Sequence, residues 1–214
     1  MKQQEKQVDY QTTNTYTTLN TLSNTTKNVW IVFHGIGYLS TYFLKYFDEL
    51  PPEENYIIAP QAPSKYYLNK TYRHVGASWL TKENTISETE NIISYLEAVY
   101  KAENINQDYN LIIFGFSQGV SIATRWVARK QLKCDQLVLY AGGLPNELRV
   151  DDFIFLEANT TEVTILVGNT DKYLTEERRQ TESEKINALF HGRAKQLVFD
   201  GGHEIKKALI NTLV

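Results

Sequence analysis

The chain has 214 residues, of which 42% are hydrophobic and 22% charged, and its formal net charge is −3. These values are typical of a soluble globular protein with a sizeable core, and we expect a single domain over residues 1–214. The small net charge, with no block of basic residues, argues against nucleic acid or an anionic membrane surface as the main partner.

Cysteine usage and apolar run length bear on the cellular compartment. The single cysteine, Cys134, excludes an intramolecular disulfide, and its place beside a predicted strand favours a structural thiol. Residues 1–16 lack the apolar core of a signal peptide, and no apolar run reaches the ~18 residues that a membrane helix needs. We therefore expect a cytoplasmic protein without a transmembrane segment.

The predicted strands begin near the N-terminus. Residues 7–23 are rich in threonine and tyrosine with rough alternation, which predicts one or two strands, arranged as an antiparallel hairpin at a sheet edge. Six continuous apolar runs follow, and continuous burial is typical of strands that are covered on both faces. In chain order these runs are NVWIVFHGIG, YIIAP, NLIIFG, QLVLYAGG, VTILVGNTD and KQLVFDGGH.

Helical patterns separate most of these runs. Residues 85–103 open with a capping-box signature from Thr85 to Glu88, and residues 175–190 and 203–213 predict two further helices. Residues 118–130 form a fourth helical pattern, with Ile122, Ala123, Trp126 and Val127 on its apolar face. The predicted apolar face of residues 85–103 consists of Ile86, Ile93, Leu96 and Tyr100. This alternation from about residue 28 predicts the α/β class, with a mostly parallel central sheet flanked by helices.

One long segment interrupts the alternation. Residues 61–82 are rich in tyrosine and show no clear period, so we interpret them as a loop close to a functional site. Apolar side chains on this loop would support a homodimer if they are exposed, so the sequence leaves monomer and homodimer open.

The junction between the third apolar run and the following helix carries a serine. GFSQG matches the pattern G-x-S-x-G, which arises by chance in roughly 7% of chains of this length. The preceding strand and the following helix are the context in which the pattern marks a nucleophile, Ser117, on a strained turn. Gly115 and Gly119 would then lack side chains because the turn is tight. The alternative is a glycine-bounded turn capped by serine.

A serine nucleophile needs a base and an orienting acid. His203 follows the last predicted strand on a Gly-Gly loop, where its imidazole can reach the sheet edge, and we favour it over His74 and His191. Asp171 follows the penultimate strand, and the order serine, aspartate, histidine matches that of the α/β-hydrolase triad. Asp200, three residues before His203, is the rival acid.

The motifs together resemble those of a known family. VFHGIG, APQAP, GFSQG, GNTDKYL and GGHEI occur in this order over residues 29–205. In these pieces the chain resembles the phospholipase/carboxylesterase family, which includes acyl-protein thioesterases and small carboxylesterases. The resemblance implies an α/β-hydrolase fold with no cofactor and no metal. Because the stretch after Gly143 is short, we expect no large lid.

The resemblance also implies roles for individual residues. Ser117 would be the nucleophile, His203 the general base and Asp171 its orienting partner. The backbone N–H groups of Ile36 and Gln118 would form the oxyanion hole. His34 would shape the turn that precedes Ile36 without exchanging protons.

These roles predict a serine hydrolase acting on a small-molecule acyl ester or thioester. We expect an apolar trough for the acyl group, with Leu39, Tyr66, Tyr67, Tyr72 and Trp79 as candidate walls, although these residues could equally close the edge of the core. Two alternatives stay open. One is a non-catalytic binding protein that keeps the pocket, and the other is a hydrolase of a phospholipid ester or an amide.

Overall fold

The computed structural model describes residues 3–106 and 108–214. The strands are β1 (Tyr16–Leu19), β2 (Asn28–Phe33), β3 (Asn55–Pro60), β4 (Ser64–Tyr67), β5 (Val75–Ser78), β6 (Asn110–Phe116), β7 (Gln136–Tyr140), β8 (Glu162–Gly168) and β9 (Lys195–Phe199). The helices are α1 (Ser40–Phe43), α2 (Thr85–Glu103), α3 (Gln118–Lys130), α4 (Ile154–Ala158), α5 (Glu176–Leu189) and α6 (Lys207–Ile210). Within the described chain, no helix is both long enough and apolar enough to cross a membrane.

Seven strands form the central sheet in the order β1-β3-β2-β6-β7-β8-β9. All neighbouring pairs are parallel except β1 and β3, which pair antiparallel at one edge. The predicted α/β-hydrolase architecture, with its mostly parallel central sheet and an antiparallel edge strand, is therefore confirmed. Since parallel strands all end at the same side of the sheet, the segments that follow β2, β6, β8 and β9 meet there.

The central strands are buried on both faces. In β2, Val29, Ile31 and Phe33 join one apolar cluster, whereas Trp30 and Val32 join another on the opposite face. The first cluster includes residues of α2, α3 and α5, and the second includes residues of α1 and α6. This double coverage explains why β2 is a continuous apolar run, since alternating residues face two different cores.

Three predicted elements differ from the structure. Residues 7–23 form one strand, β1, and not a hairpin, because Tyr16–Leu19 pairs with β3. Residues 61–82 are not an irregular loop, since β4 and β5 form an antiparallel hairpin within them. Residues 203–213 contain only the four-residue helix α6.

The bounds predicted for α2 are confirmed, but two details of it are wrong. Thr85 is the first helical residue and not the N-cap, and its hydroxyl donates to the carbonyl of Thr81 at 2.9 Å instead of forming a capping box. Asn84 holds the N-cap position in the left-handed region, at φ 49°. Ile86 is 79% exposed, so it does not belong to the buried face of α2. The buried residues of this helix are Thr89, Ile92, Ile93, Leu96 and Val99.

The connection between β7 and β8 is short and carries little regular structure. Residues 141–161 contain a 3-10 turn, Val150–Asp152, and the five-residue helix α4. This matches the expectation that no large lid covers the sheet edge.

Cys134 lies at the base of the sheet, just before β7. The side chain is buried, and burial raises the pKa of its thiol to about 12. The thiol is therefore protonated at neutral pH, in agreement with the predicted structural role.

Candidate active site

Ser117 lies between β6 and α3 in a strained backbone conformation. Its φ and ψ angles are 53° and −117°, outside the regions that residues other than glycine ordinarily adopt. Its backbone N–H donates to the carbonyl of Tyr140 at 2.9 Å, which ties the turn to the end of β7. The turn therefore holds Ser117 at the carboxyl end of the sheet.

The two glycines beside Ser117 are required by close backbone contacts. A Cβ atom at Gly119 would lie 2.1 Å from the carbonyl oxygen of Phe33 in β2. A Cβ atom at Gly115 would lie 2.6 Å from the carbonyl oxygen of Gly119. Both distances are far below van der Waals contact, so the predicted reason for these glycines is confirmed.

Three side chains that are distant in sequence meet at this edge. Ser117 Oγ lies 2.9 Å from His203 Nε2, and His203 Nδ1 lies 2.7 Å from Asp171 Oδ2. An ionised carboxylate can only accept, so Nδ1–H donates to Asp171 and Nε2 is left to accept the hydroxyl proton of Ser117. This arrangement places a basic nitrogen against the serine hydroxyl.

The Asp171 carboxylate is held from its own loop. It is almost fully buried, and its Oδ1 accepts the backbone N–H of Tyr173 at 2.9 Å. The Tyr173 ring in turn packs edge-on against the His203 ring, with 4.8 Å between the centroids. The rival acid, Asp200, is exposed and accepts from Asn169 Nδ2 at 3.2 Å.

The two backbone groups predicted to bind an oxyanion lie in the same cleft as Ser117. Among the described residues, the backbone N–H of Ile36 has no hydrogen-bond acceptor. Gln118 is the first residue of α3, so its N–H is one of the donors that a helix cannot satisfy internally. Both groups are therefore able to donate to a ligand atom, and the positive end of the helix dipole favours a negative one.

His34 supports the turn that presents Ile36. It is fully buried, its Nδ1 lies 2.8 Å from the carbonyl oxygen of Gly35, and its Nε2 accepts the N–H of Ala62 at 3.2 Å. The carbonyl of His34 accepts the indole N–H of Trp79 at 2.8 Å. Burial lowers the pKa of His34 to about 4, so the ring is neutral at pH 7.

This pKa predicts a pH dependence of stability. The ordinary pKa of histidine is 6.5 and that of His34 is about 4, so the unfolded chain binds more protons between these values. The contribution of neutral His34 is complete above pH 6.5 and is lost as the pH falls towards 4. We expect this group to remove about 2 kcal/mol of unfolding free energy between pH 7 and pH 5. Denaturant titrations at several pH values measure it.

In His34→Gln, the unfolding free energy should therefore decrease less between pH 7 and pH 5 than in the wild type. His74→Gln, at an exposed position, is the control and should keep the wild-type dependence. Equal dependence on pH in the wild type and in His34→Gln would contradict the assignment.

The side chain of Gln118 joins α3 to the segment after β5, a contact that the sequence did not predict. Its Oε1 accepts the backbone N–H of Trp79 at 2.8 Å, and its Nε2 donates to the carbonyl of Leu80 at 2.7 Å. The glutamine after the serine in GFSQG is the sequence signal for this contact. It fixes the first residue of α3 beside the serine.

An open cleft of about 870 Å³ surrounds Ser117. The residues predicted to form an apolar trough, namely Leu39, Tyr66, Tyr67, Tyr72 and Trp79, do not line it. Trp79 follows the alternative that these residues close the edge of the core, since its side chain is 1% exposed and packs on Phe33 and His34. Tyr66, Tyr67 and Tyr72 are exposed on the β4–β5 hairpin or the turn that joins its strands.

One wall of the cleft is charged instead. It carries Arg125, Glu147, Arg178, Glu182 and Lys185. Arg178, Glu182 and Lys185 are spaced by four and three residues, so helical periodicity places them on one face of α5, which is the signal that could have identified them. Among the described residues, no group of three or more histidine, cysteine, aspartate or glutamate side chains is arranged to hold a metal ion.

Comparison with models of known protein families identifies one match. The model of the phospholipase/carboxylesterase family matches residues 14–213. A search of curated protein sequences found no match.

Several solved structures are similar to this fold at low sequence identity. Acyl-protein thioesterase 2 from Zea mays has a TM-score of 0.67 and 15% identity, covering 94% of this chain and 96% of its own. A phospholipase/carboxylesterase from Dyadobacter fermentans has a TM-score of 0.64 and 22% identity, with 95% and 97% covered. The Bacillus cereus carboxylesterase has a TM-score of 0.64 and 15% identity, with 94% and 91% covered. These similarities establish the α/β-hydrolase fold.

Proposed function

This chain belongs to the phospholipase/carboxylesterase family of α/β-hydrolases, and from that premise we propose that it is a serine hydrolase of carboxylic esters or thioesters. The observation that carries the proposal is the pair of hydrogen bonds that connects Ser117 to His203 and His203 to Asp171. Under this proposal the substrate is a small-molecule ester or thioester, and an acyl-enzyme is the intermediate.

The first step is attack on the substrate carbonyl. His203 Nε2 takes the proton of the Ser117 hydroxyl while Oγ bonds to the carbonyl carbon. The buried Asp171 carboxylate stabilises the imidazolium and holds its Nδ1–H in place. Because Ser117 Oγ and Nε2 lie 2.9 Å apart, the proton transfer needs no rearrangement of the side chains.

The carbonyl oxygen becomes an oxyanion in this step. The N–H groups of Ile36 and Gln118 are the proposed donors, and one such donor typically lowers the barrier by about 3 kcal/mol. The contacts of buried His34 fix the turn that presents Ile36. The hydrogen bonds from the Gln118 side chain to Trp79 and Leu80 fix the first residue of α3. These donors are therefore oriented before the substrate binds.

The acyl-enzyme then forms and breaks down. His203 gives its proton to the leaving alcohol or thiol, which completes acylation and frees Nε2. A water molecule next loses a proton to Nε2 and attacks the acyl carbon, and Ser117 is regenerated when it recovers that proton. The same pair of residues thus acts in both halves of the reaction.

Covalent labelling tests the proposed class directly. We expect a fluorophosphonate probe to modify the native protein with a stoichiometry of one and to leave Ser117→Ala unmodified. His203→Gln should react far more slowly because the hydroxyl then lacks its base. Equal labelling of the native protein and of Ser117→Ala would refute the assignment, and no labelling at all would favour a non-catalytic binding protein.

A further inference from the structure

The charged wall of the cleft contains one cation without a carboxylate partner. Among the ion pairs of the described residues, none includes Arg178. The other two cations of the wall are paired, Arg125 with Glu147 at 2.6 Å and Lys185 with Glu182 at 3.1 Å. Among the cations of this wall, Arg178 is therefore the one that forms no ion pair with a described residue, since Glu182, one helical turn along α5, pairs with Lys185.

The carboxylate of Glu182 has other partners that keep it in place. Its Oε2 accepts the backbone N–H of Leu144 at 2.9 Å, and Lys185 also donates to Asn146 Oδ1 at 2.6 Å. Glu182 therefore fixes the loop after β7 and is already satisfied by Lys185 and the backbone.

The Arg178 guanidinium is oriented by its own contacts. Its Nη1 donates to the carbonyl of Tyr173 at 3.1 Å, and its Nη2 would lie 3.2 Å from a Cβ atom at Gly143. Within residues 3–106 and 108–214, Nε and Nη2 donate to no protein atom. These two groups form one edge of the guanidinium, and such an edge binds a carboxylate through two parallel hydrogen bonds.

Two contacts bring this guanidinium close to the reacting groups. The Tyr173 residue to which it donates packs against the His203 ring. Gly143, which it approaches, follows Gly142, and a Cβ atom at Gly142 would lie 2.4 Å from the carbonyl oxygen of Ser117. Arg178 also lines the same cleft as Ser117 and His203, so one bound substrate can contact all three residues.

We propose that Arg178 forms an anion subsite that selects esters or thioesters carrying a carboxylate a few bonds from the scissile carbonyl. This inference rests on the proposed function, since it names the substrate class of the same site. The mixed charged and polar wall of the cleft agrees with it, because the residues expected to form an apolar trough for the acyl group do not line the cleft. The carboxylate can belong to the acyl part or to the leaving group.

Two matched pairs of esters show whether the recognised carboxylate belongs to the acyl part or to the leaving group. For the acyl part, the pair is the p-nitrophenyl monoester of adipic acid and p-nitrophenyl hexanoate, which differ at the end of a six-carbon acyl chain. For the leaving group, the pair is 4-acetoxybenzoate and its methyl ester. In each pair, the selectivity is the kcat/KM of the anionic ester divided by that of the neutral ester.

We expect Arg178→Gln to lower the selectivity at least about tenfold in one of the two pairs, the effect of one lost charge-assisted hydrogen-bond pair. Arg178→Lys, which keeps the charge but not the two-pronged geometry, should give an intermediate value. Arg193→Gln is the matched control, because Arg193 pairs with Glu157 away from the cleft, and it should keep the wild-type selectivity. Unchanged selectivity in Arg178→Gln in both pairs would overturn the subsite.

Binding of adipate to the Ser117→Ala variant separates this proposal from the proposed function. Calorimetric titration should give a Kd about tenfold higher when Arg178→Gln is added, and the difference should shrink at high salt. If neither ester of a pair is hydrolysed, the hydrolase proposal fails, while this titration still decides on Arg178. Equal Kd values with and without Arg178 would refute the subsite.

Discussion

Replacing Ser117 with alanine is expected to lower kcat/KM for p-nitrophenyl hexanoate by at least about 10⁴-fold. The variant keeps the cleft, the backbone donors and His203, so any remaining turnover reflects these alone. Because the change removes one hydroxyl and its single hydrogen bond to His203 but no apolar contact, the melting temperature should stay close to that of the wild type. Release of p-nitrophenol measures the first quantity and circular dichroism the second.

Ser87→Ala serves as the control for this loss. Its hydroxyl donates to the carbonyl of Asn84 at 3.0 Å in the first turn of α2, outside the cleft. We expect its kcat/KM to stay within about threefold of the wild type, as is usual for a surface substitution. A Ser117→Ala protein that is folded and still turns over the ester at the wild-type rate would exclude Ser117 as the nucleophile.

Asp171→Asn should lower kcat about 10⁴-fold at neutral pH, a loss of activity nearly as large as that expected for Ser117→Ala. An amide at this position can donate its own proton to Nδ1 of His203, which places the ring proton on Nε2. The hydroxyl of Ser117 then faces a donor and cannot transfer its proton. The geometry of the site is kept, so the loss should appear in kcat more than in KM.

Asp200→Asn makes the same chemical change at the other aspartate near His203. Asp200 is exposed and its side chain bonds Asn169, not the imidazole, so its kcat should stay within about threefold of the wild type. The reverse pattern, with a large loss in Asp200→Asn and a small one in Asp171→Asn, would transfer the orienting role to Asp200.

The central sheet was predictable because burial on both faces leaves a continuous apolar run. The run from Val29 to Phe33 is one example, since alternate side chains enter different cores and none faces water. The β4–β5 hairpin was missed for the opposite reason. All four residues of β4 are exposed, so no periodic burial is imposed on Ser64–Tyr67.

Two local assignments were limited in a similar way. Helical periodicity predicts which face of α2 is buried but not how far the covering sheet extends along it, so Ile86 was assigned to the core although it is exposed. For Trp79 the sequence left the cleft and the core equally open, because an aromatic residue suits both a pocket and a core. Only the fold shows that its indole N–H reaches the carbonyl of His34.

The meeting of Ser117, Asp171 and His203 follows from topology more than from local pattern. Each residue comes at or after the carboxyl end of a strand, and parallel strands end at one edge of the sheet. Their roles are still predictions, although their distances now agree with those roles. The charged wall of the cleft was not predicted, because charges on a helix face usually only meet solvent.

Trapping the acyl-enzyme tests the central claim most directly. After rapid acid quenching of the reaction with p-nitrophenyl hexanoate, peptide mass spectrometry should find one hexanoyl group, on the peptide that contains Ser117. The modification should appear as fast as the burst of p-nitrophenol and should be absent from Ser117→Ala. Hydrolysis that proceeds with no acylated peptide, or with the acyl group on another residue, would contradict the mechanism.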